Sequence, residues 1–512
     1  MKLSELLTGV DVAAITGPEP APISAVAYNS RDVAPGGMFV AIRGVKTDGN
    51  RYVFDAIERG ARVVVSEMPR PWNPRWGVVY ATEPLEGFVP PRDVPANVTW
   101  VEVTDARKAL ATIAAHFYGH PAEALQLVGI TGTNGKTTIS YLVDSILRAA
   151  GRTSGLAGTI HYRTPRGQRA APNTTPESLD LHRLFAEIHD AGGTHATLEV
   201  SSHALSLDRV WGCRFAVAVF TNLTREHMDY HKTFEHYFAA KRQLFEGTGA
   251  GAPGVGVVNT DDAYGRQLAA LAKRTLTYGL ESGADITTKK FALNFQGLEF
   301  TAHTPAGKIE IASPLVGRIN VYNILAAIGA GLALGIPNEA IARGIRELQA
   351  VPGRFERIDL GQPFLVVVDY AHTDDALRNL LETARELAKG GLILTLFGCG
   401  GNKDRTKRPL MGEVAGQMSD RVFITLDNPR TEDPLRIAND IVVGLQKARG
   451  NYTVEMDRAR AIQMALDEAH PGDIVLLAGK GHEDYQAIGT VTQPYTDQET
   501  ARECLRRMGY GS

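Results

Sequence analysis

Gly129-Ile-Thr-Gly-Thr-Asn-Gly-Lys-Thr-Thr138 stands between an apolar run over 125–130 and a helical run over 139–150. The first predicts a buried strand and the second a helix. Strand, glycine-rich turn, Gly-Lys-Thr and helix form the P-loop arrangement, in which turn N–H groups and the helix N-terminus surround a polyphosphate. Lys136 then reaches the outer phosphates and the Thr137 hydroxyl ligates Mg²⁺. Gly132 and Gly135 let the backbone approach the phosphates where a side chain would block it. The spacing is unusual. A standard loop has a Gly five residues before the Gly of Gly-Lys-Thr, whereas Ile130 stands there and Gly129 lies one further back. A chance Gly-Lys-Thr in a turn is the alternative, and the flanking strand and helix argue against it.

The 512 residues are enough for about three domains. Apolar content of 44% and charged content of 22% are ordinary globular values. A net charge of −3 suggests neither nucleic-acid nor anionic-membrane binding, so any anion site must be local. Cys213, Cys399 and Cys504 are too few and scattered for a disulfide framework or a zinc site, and fit a reducing compartment. Residues 1–10 carry no signal-peptide pattern and no apolar run reaches the ~18 residues of a membrane span, so a cytoplasmic protein is expected.

The pattern predicts an α/β protein of three domains. The first covers 1–104, with strands over 24–29, 38–42 and 61–66, a helix over 54–60 and a Pro/Trp-rich excursion over 69–95. The polar pieces Asn29-Ser30-Arg31 and Lys46-Thr47-Asp48-Gly49 read either as turns or as caps on a ligand's uracil or phosphate. The second domain, 105–350, alternates strands and helices around the P-loop, which predicts a parallel sheet. Strands over 194–200, 215–220 and 255–258 end in Glu199-Val-Ser-Ser-His203, Thr221-Asn222-Leu223 and Asn259-Thr-Asp-Asp262. The third, 351–512, is a second, Rossmann-like α/β unit. Its strands over 364–368, 392–397, 421–426 and 473–478 end in Asp369-Tyr-Ala-His372, Gly398-Cys-Gly-Gly401, Asp427-Asn-Pro-Arg430 and Gly479-Lys-Gly-His-Glu483. Ligands of such sheets bind beyond the carboxyl ends of strands, and polar groups recur at those ends here.

Mg²⁺ on a bound triphosphate needs hard oxygen ligands, which Thr137 and Glu199 supply. His227, in the polar stretch 225–231, is a candidate ligand or a solvated loop residue. Lys241 lies in a helical pattern, and on local sequence it reads as a surface lysine. Asn320 and Asn323, before a helix over 324–334, are caps or nucleotide contacts. Arg354, beside a hinge at 352–356, either swings onto a phosphate as domains close or forms a linker salt bridge.

Taken together, these stretches resemble the Mur ligase family. The markers are Thr131–Thr138, Glu199–His203, Thr221-Asn222 with His227, Asn320 with Asn323, and Pro352-Gly-Arg354; the displaced Gly belongs to the family's own loop. Asn173-Thr-Thr-Pro176, Asp369–His372, Gly400-Gly401 with Lys407-Arg408-Pro409, Asp427–Arg430 and Gly479–Glu483 are similar to the branch that adds a diamino acid. The resemblance implies an ATP-dependent amide-forming ligase of peptidoglycan precursor synthesis. ATP phosphorylates the free D-Glu carboxylate of UDP-MurNAc-L-Ala-D-Glu, and the amine of meso-diaminopimelate attacks the acyl phosphate. Ser30, Lys46, Thr47 and Asp48 then resemble the uridine-diphosphate region, and Asn173, Thr174, Thr175, Ser201 and Arg209 the muramoyl-dipeptide region. Gly132, Thr133, Asn134, Gly135, Lys136, Thr137, Thr138, Asn320, Asn323, Arg354, Asp369 and His372 resemble the ATP site. Lys241 resembles a carbamylated lysine, which as an oxygen ligand joins Thr137, Glu199 and His227 in holding two Mg²⁺; Lys136, Lys241, His227 and Glu199 are the implied catalytic set. Lys403, Asp427, Asn428, Arg430, Gly479 and Glu483 resemble the amino-acid site, with Arg430 reading the distal carboxylate and Glu483 the ammonium. The implied partners are these small molecules, and a monomer is expected.

Three departures stand out. Lys403, in Gly-Gly-Asn-Lys-Asp404, replaces a usual Arg and loses its bidentate fork, which leaves L-lysine or L-ornithine as alternative acceptors. Thr373-Asp-Asp375 replaces Thr-Pro-Asp, and Asn29 replaces a common Asp. A folylpolyglutamate-synthase-like ligase would lack Asp427–Arg430 and the long N-terminal unit. A non-catalytic nucleotide-binding scaffold would be expected to have lost Lys136, Glu199 or Lys241.

Overall fold

A computed structural model describes residues 1–45, 47–70, 94–281, 283–294, 296–388 and 390–511. Lys46 and most of the Pro/Trp-rich excursion lie outside the described residues. Three α/β sheets follow one another along the chain. The first orders its strands Val12–Thr16, Thr99–Val103, Val63–Ser66, Met38–Val40 and Val26–Ala27, parallel except for Val12–Thr16. Asp105 caps the helix Ala106–Phe117 by accepting from the Arg107 and Lys108 N–H groups, and this helix buries Ala109, Leu110 and Ile113 against Val101 and Val103. The strand expected over 24–29 shrinks to two residues, because the Asn29 side chain accepts from Arg31 N–H and starts a 3₁₀ turn. Val12–Thr16 and Thr99–Val103 were not foreseen. The first is mostly exposed and so lacks an apolar alternation.

The central sheet has eight strands, in the order Thr275–Tyr278, Val255–Asn259, Phe215–Phe220, Gln126–Thr131, His195–Glu199, Ser154–Ala157, His161–Thr164 and Gly167–Ala170. The first six are parallel and the last two form an antiparallel hairpin. Both faces are covered, as a parallel sheet requires. Val128, Ile130, Val217 and Val219 face the helices Lys136–Ala149 and Arg318–Ala333, while Leu127, Leu198, Phe215 and Phe220 face the opposite core. The helix expected over 324–334 begins at Arg318, capped by Gly317, so Asn320 and Asn323 sit inside its first two turns and neither is a cap. The three-stranded antiparallel sheet Phe291–Asn294, Gly297–Thr304 and Gly307–Ser313 falls where the α/β pattern is silent.

The third sheet runs Glu356–Ile358, Leu365–Asp369, Ile474–Ala478, Ile393–Phe397, Arg421–Ile424 and Tyr452–Val454, all parallel except the first. Its neighbouring strand ends at Asp369, Ala478, Phe397 and Ile424 bring four polar loops to one edge. The three-part α/β architecture, with a central P-loop sheet and a Rossmann-like unit after it, is therefore the observed one. Among the described residues, no helix is long and apolar enough to cross a membrane.

Candidate active site

The P-loop turn is shaped by two glycines in the left-handed region, Gly132 at φ +146 and Gly135 at φ +91. A Cβ on Gly132 would lie 1.8 Å from Thr221 Oγ1, and one on Gly135 would lie 2.5 Å from Asn323 Oδ1. These glycines are thus required by the protein's own neighbours as well as by any phosphate. Thr133 Oγ1 meets the Tyr237 hydroxyl at 3.1 Å, and Asn134 N–H donates to Asn222 Oδ1 at 3.0 Å. Lys136 Nζ folds back onto the carbonyls of Gly132 and Thr133, at 2.9 and 2.7 Å. Burial lowers its pKa, against the pull of Glu226 and Glu199. Thr137 Oγ1 donates to Glu199 Oε2 at 3.0 Å; the buried Glu199 also accepts from Thr159 N and Oγ1, each at 2.9 Å. Thr138 is buried in the first turn of the same helix.

Lys241 is 1% exposed and is not a surface lysine. Its helix, Phe234–Glu246, buries Tyr237, Ala240, Lys241, Leu244 and Phe245 on one stripe. Its Nζ donates to Gly132 O at 2.8 Å and sits 4.5 Å above the Tyr237 ring. No carboxylate makes an ion pair with it among the described residues. Burial first, and then the Lys136 charge, hold its pKa well below that of free lysine. His227 adopts φ +57, with Nε2 3.6 Å from Glu226 Oε2 and its ring edge on His203. His372 Nε2 stands 3.6 Å from the other oxygen, Glu226 Oε1. Burial alone would raise the Glu226 pKa, but His372, His227 and Lys136 overturn that and hold it well below the usual carboxylate range. No group of three or more His, Cys, Asp or Glu side chains among the described residues could hold a metal ion. Thr137 and Glu199 are together, whereas His227 is paired with Glu226 and Lys241 with the loop backbone.

The hinge loop crosses this site. Arg354 Nη2 lies 3.4 Å from Thr137 Oγ1, its guanidinium stacks 4.9 Å over the Tyr370 ring, and its buried Nε has no hydrogen-bond partner among the described residues. Among the described residues no carboxylate makes an ion pair with it, so the linker salt bridge is not seen there. Asp369 accepts from Phe355 N at 2.7 Å and Ala371 N at 2.8 Å, and so clamps the hinge rather than facing outward. Burial raises its pKa. Asn320 Nδ2 donates to Val316 O, and Asn323 Nδ2 to Asn320 Oδ1. Asn320, Arg354, Val316 and Phe355 line a cleft of about 380 Å³.

Around Thr175, Oγ1 donates to Glu199 O at 2.7 Å, Ser201 N donates to that Oγ1, and Arg209 Nη1 donates to Thr175 O at 2.9 Å. Thr174 meets Thr159 at 3.2 Å, and Asn173 O accepts from the Tyr162 hydroxyl. Ser30 and Asp48 belong to capped 3₁₀ turns, and Thr47 Oγ1 meets the Tyr52 hydroxyl at 3.3 Å. The Asp48 turn is linked to the Thr175 cluster through Arg43, Arg107, Glu177 and Arg209.

Residues of the central and third units converge on a cleft of about 420 Å³. The central unit supplies Thr174, His203, Glu226 and His227; the third supplies His372, Lys403, Asp427, Asn428, Arg430, Gly479 and Glu483. Arg430 adopts φ +51, a strained conformation for a side chain of its size. Its backbone is held by Ala487 O and Gly489 N–H, and its Nη1 donates to Gly401 O at 2.9 Å. Arg408, fully buried, forks onto Glu432 at 2.9 and 2.8 Å, and Glu432 also accepts from Asn402 N, which ties the 400–406 loop to the turn bearing Arg430.

Three family models cover most of the chain: Mur ligase family, catalytic domain, over 22–118; Mur ligase middle domain over 130–331; and Mur ligase, glutamate ligase domain over 353–481. A relative from Solibacter usitatus (strain Ellin6076), a UDP-N-acetylmuramoyl-L-alanyl-D-glutamate–2,6-diaminopimelate ligase, is 50% identical over 100% of this chain and 99% of its own. This chain belongs to the Mur ligase family. A relative of the same name from Geobacter metallireducens (strain ATCC 53774 / DSM 7210 / GS-15) is 43% identical over 99% of both chains. A solved structure of a ligase of that name matches this Mur ligase with a TM-score of 0.67 and 31% identity, covering 100% of this chain and 99% of the other. MurF from Acinetobacter baumannii, at 18% identity and a TM-score of 0.65, shares the fold. The sequence assigns no role to Glu226 and His203, which line this Mur ligase's cleft, or to Asp375, Arg408 and Lys480, which do not line it. Glu226 lay in the polar stretch 225–231 already singled out. The Asp375 carboxylate accepts from Asn134 Nδ2 at 2.9 Å and Thr224 Oγ1 at 3.1 Å, joining the P-loop to the third unit.

Proposed function

We propose that this Mur ligase uses ATP to join meso-2,6-diaminopimelate to the D-Glu of UDP-MurNAc-L-Ala-D-Glu, a step of peptidoglycan precursor synthesis, with three domains divided near residues 104 and 350. The carrying observation is the shared cleft. Thr174, His203, Glu226 and His227 of the central unit and an Arg430, Asp427 and Glu483 cluster of the third line one cavity, and the Glu226 charge acts on Lys136 of the P-loop. The full-length relatives bearing this activity in their names support the same reading.

The chemistry needs an activated carboxylate, because a carboxylate oxygen is a poor leaving group. A D-Glu carboxylate oxygen bonds to the γ-phosphorus as the bond to the β–γ bridging oxygen breaks, and ADP leaves. The amine nitrogen then bonds to the acyl carbon, the carbon–oxygen bond to phosphate breaks, and the nitrogen sheds its protons. Lys136, freed from its loop carbonyls, neutralises the transferring phosphoryl charge, and Arg354 adds a second cation from the hinge. The base of ATP takes the cleft beside Asn320. Thr174, Thr175, Ser201 and Arg209 orient the muramoyl dipeptide, with Ser30, Lys46, Thr47 and Asp48 at its UDP end. His203 and Tyr370 help wall off water.

Thr137, Glu199, His227 and a carbamylated Lys241 would hold Mg²⁺, which when bound offsets phosphate charge. The donors fit: Glu199 and Thr137 are hard oxygens already in contact, and phosphate oxygens complete a shell that Mg²⁺ seldom takes from protein alone. Lys241 fits as well. Burial lowers the Lys241 pKa and so favours the unprotonated amine, the form that attacks CO₂; the carbamate would place a negative charge beside Lys136. The same reading implies a cytoplasmic enzyme.

Phosphate release with UDP-MurNAc-L-Ala-D-Glu and ATP, offered diaminopimelate, L-lysine or L-ornithine separately, tests the acceptor. Release that depends on diaminopimelate supports Arg430 as carboxylate reader with Lys403 beside it. Release with lysine or ornithine alone overturns the acceptor and keeps the ligase.

A further inference from the structure

Lys480 is fully buried in the third unit, between two carboxylates assigned above to the amino-acid site. Its Nζ lies 3.4 Å from Glu483 Oε2, 3.6 Å from Asp427 Oδ1 and 3.3 Å from Asn428 Oδ1, with the Tyr485 and Tyr495 rings 5.7 and 5.9 Å away. The Asn428 amide is fixed by these contacts. Its oxygen faces Lys480 and Ala487 N, and its Nδ2 donates to Glu483 Oε2 at 2.7 Å. Both hydrogen bonds of Glu483 therefore fall on Oε2, and Oε1 has no partner among the described residues.

We propose that Lys480 is a positioning residue of the amino-acid site: it balances one of the two negative charges of Asp427 and Glu483, turns Asn428, and leaves one unbalanced negative charge for the ammonium of the incoming diamino acid. The inference rests on the reading of this cleft as the diamino-acid site. The charge count carries it. Two buried carboxylates without a cation repel each other, and one would take up a proton and lose its attraction for an ammonium. A second cation paired directly with these two carboxylates, as Lys480 is, would cancel the attraction altogether. Burial and Asp427 already raise the Glu483 pKa, while Lys480 and Asn428 oppose them. The other groups around this cluster are Tyr370, Tyr485, Tyr495 and Cys399, raised by burial and so neutral, the Arg458 guanidinium, itself paired with Asp497, and Arg430 and Lys403 on the carboxylate-reading side of the cavity.

The test compares wild type with Lys480→Met in steady-state ligation, varying each substrate in turn and repeating the diaminopimelate series across pH. The expected variant has a KM for diaminopimelate raised at least about 10-fold, with the KM for ATP within about twofold. The acid limb of its kcat/KM for diaminopimelate moves up by about one pH unit or more, because Glu483 now holds its proton to higher pH. Adding Lys480→Met to Glu483→Gln should cost much less than adding it to wild type. An unchanged KM and acid limb in folded Lys480→Met overturns the inference, as does an equal rise in every KM. If Lys480→Met does not fold, Lys480→Gln carries the same readouts. Glu483→Gln, with Lys480 intact, leaves the cluster neutral, so wild-type affinity for diaminopimelate in that variant also overturns it. Wild type that ligates no diamino acid overturns the reading of the site, and the inference with it.

Discussion

Lys241 is the residue on which local and global readings part most sharply. On a polar-rich helix a lysine belongs in water, yet this one is buried over Tyr237 and against Gly132 O. The clue was present in the spacing. Tyr237, Ala240, Lys241, Leu244 and Phe245 repeat at the three- and four-residue intervals of a buried stripe, so a lysine among them is an anomaly. Lys241→Ala should lose roughly 100-fold or more in turnover, and short-chain carboxylates should restore part of it by supplying the missing oxygen ligand. Full activity of the variant without added carboxylate would rule out a carbamate role. Arg430 is held at φ +51 by the Ala487 and Gly489 backbone, so its place is built into the fold rather than induced. Arg430→Lys keeps charge and loses the fork. It should raise the KM for diaminopimelate about 10- to 100-fold, the equivalent of about 1.5–3 kcal/mol, and leave that for ATP unchanged. Equal KM values for both proteins would remove Arg430 as reader.

At the level of elements, the site is a set of strand ends, and those were the most legible features. Apolar runs near 125–130, 215–220, 393–397 and 474–478 announce buried parallel strands, and the polar residues after each announce the site edge. What stayed hidden was whatever tertiary contact decides. The helix from Arg318 outruns its apolar stretch because Asn320 and Asn323 bond inside it. The antiparallel strands Phe291–Asn294, Gly297–Thr304 and Gly307–Ser313 lie outside the alternation of strand and helix that announces the parallel sheets. The P-loop turn gives an element-level prediction. Gly132→Ala meets Thr221 Oγ1 at 1.8 Å and an unfavourable φ, so it should destabilise the protein by about 1–3 kcal/mol in chemical denaturation, besides losing nucleotide binding. A denaturation midpoint equal to wild type would show that the turn is far more pliant than its packing indicates.

On the scale of the whole molecule, the central and third units are already in contact. Asp375 joins Asn134 and Thr224, Arg354 meets Thr137, and Glu226 lies between His227 and His372. None of these pairs is visible in one dimension, since each spans more than a hundred residues except the adjacent Glu226–His227. Family resemblance placed Arg354 and His372 at the nucleotide, but only the fold showed that Asp369 clamps the hinge. Asp375→Ala should loosen this contact and raise the radius of gyration in solution scattering without nucleotide; an identical profile would deny the latch. Stability should also depend on pH. Burial pushes His203, His231 and His482 each down to about 4. The unfolded chain takes up protons near 6.5 that the folded one refuses, so stability contributed by these groups is full above that pH and falls as pH drops toward 4. A melting temperature that declines from pH 7 to 5 is expected, and a flat one would contradict the buried neutral imidazoles.

The most direct test of the central claim follows one oxygen atom. UDP-MurNAc-L-Ala-D-Glu labelled with ¹⁸O in the free D-Glu carboxylate is turned over with ATP and diaminopimelate, and the released phosphate is weighed by mass spectrometry. An acyl-phosphate route transfers one labelled oxygen to phosphate in each turnover. Phosphate free of label, with product formed, would contradict it.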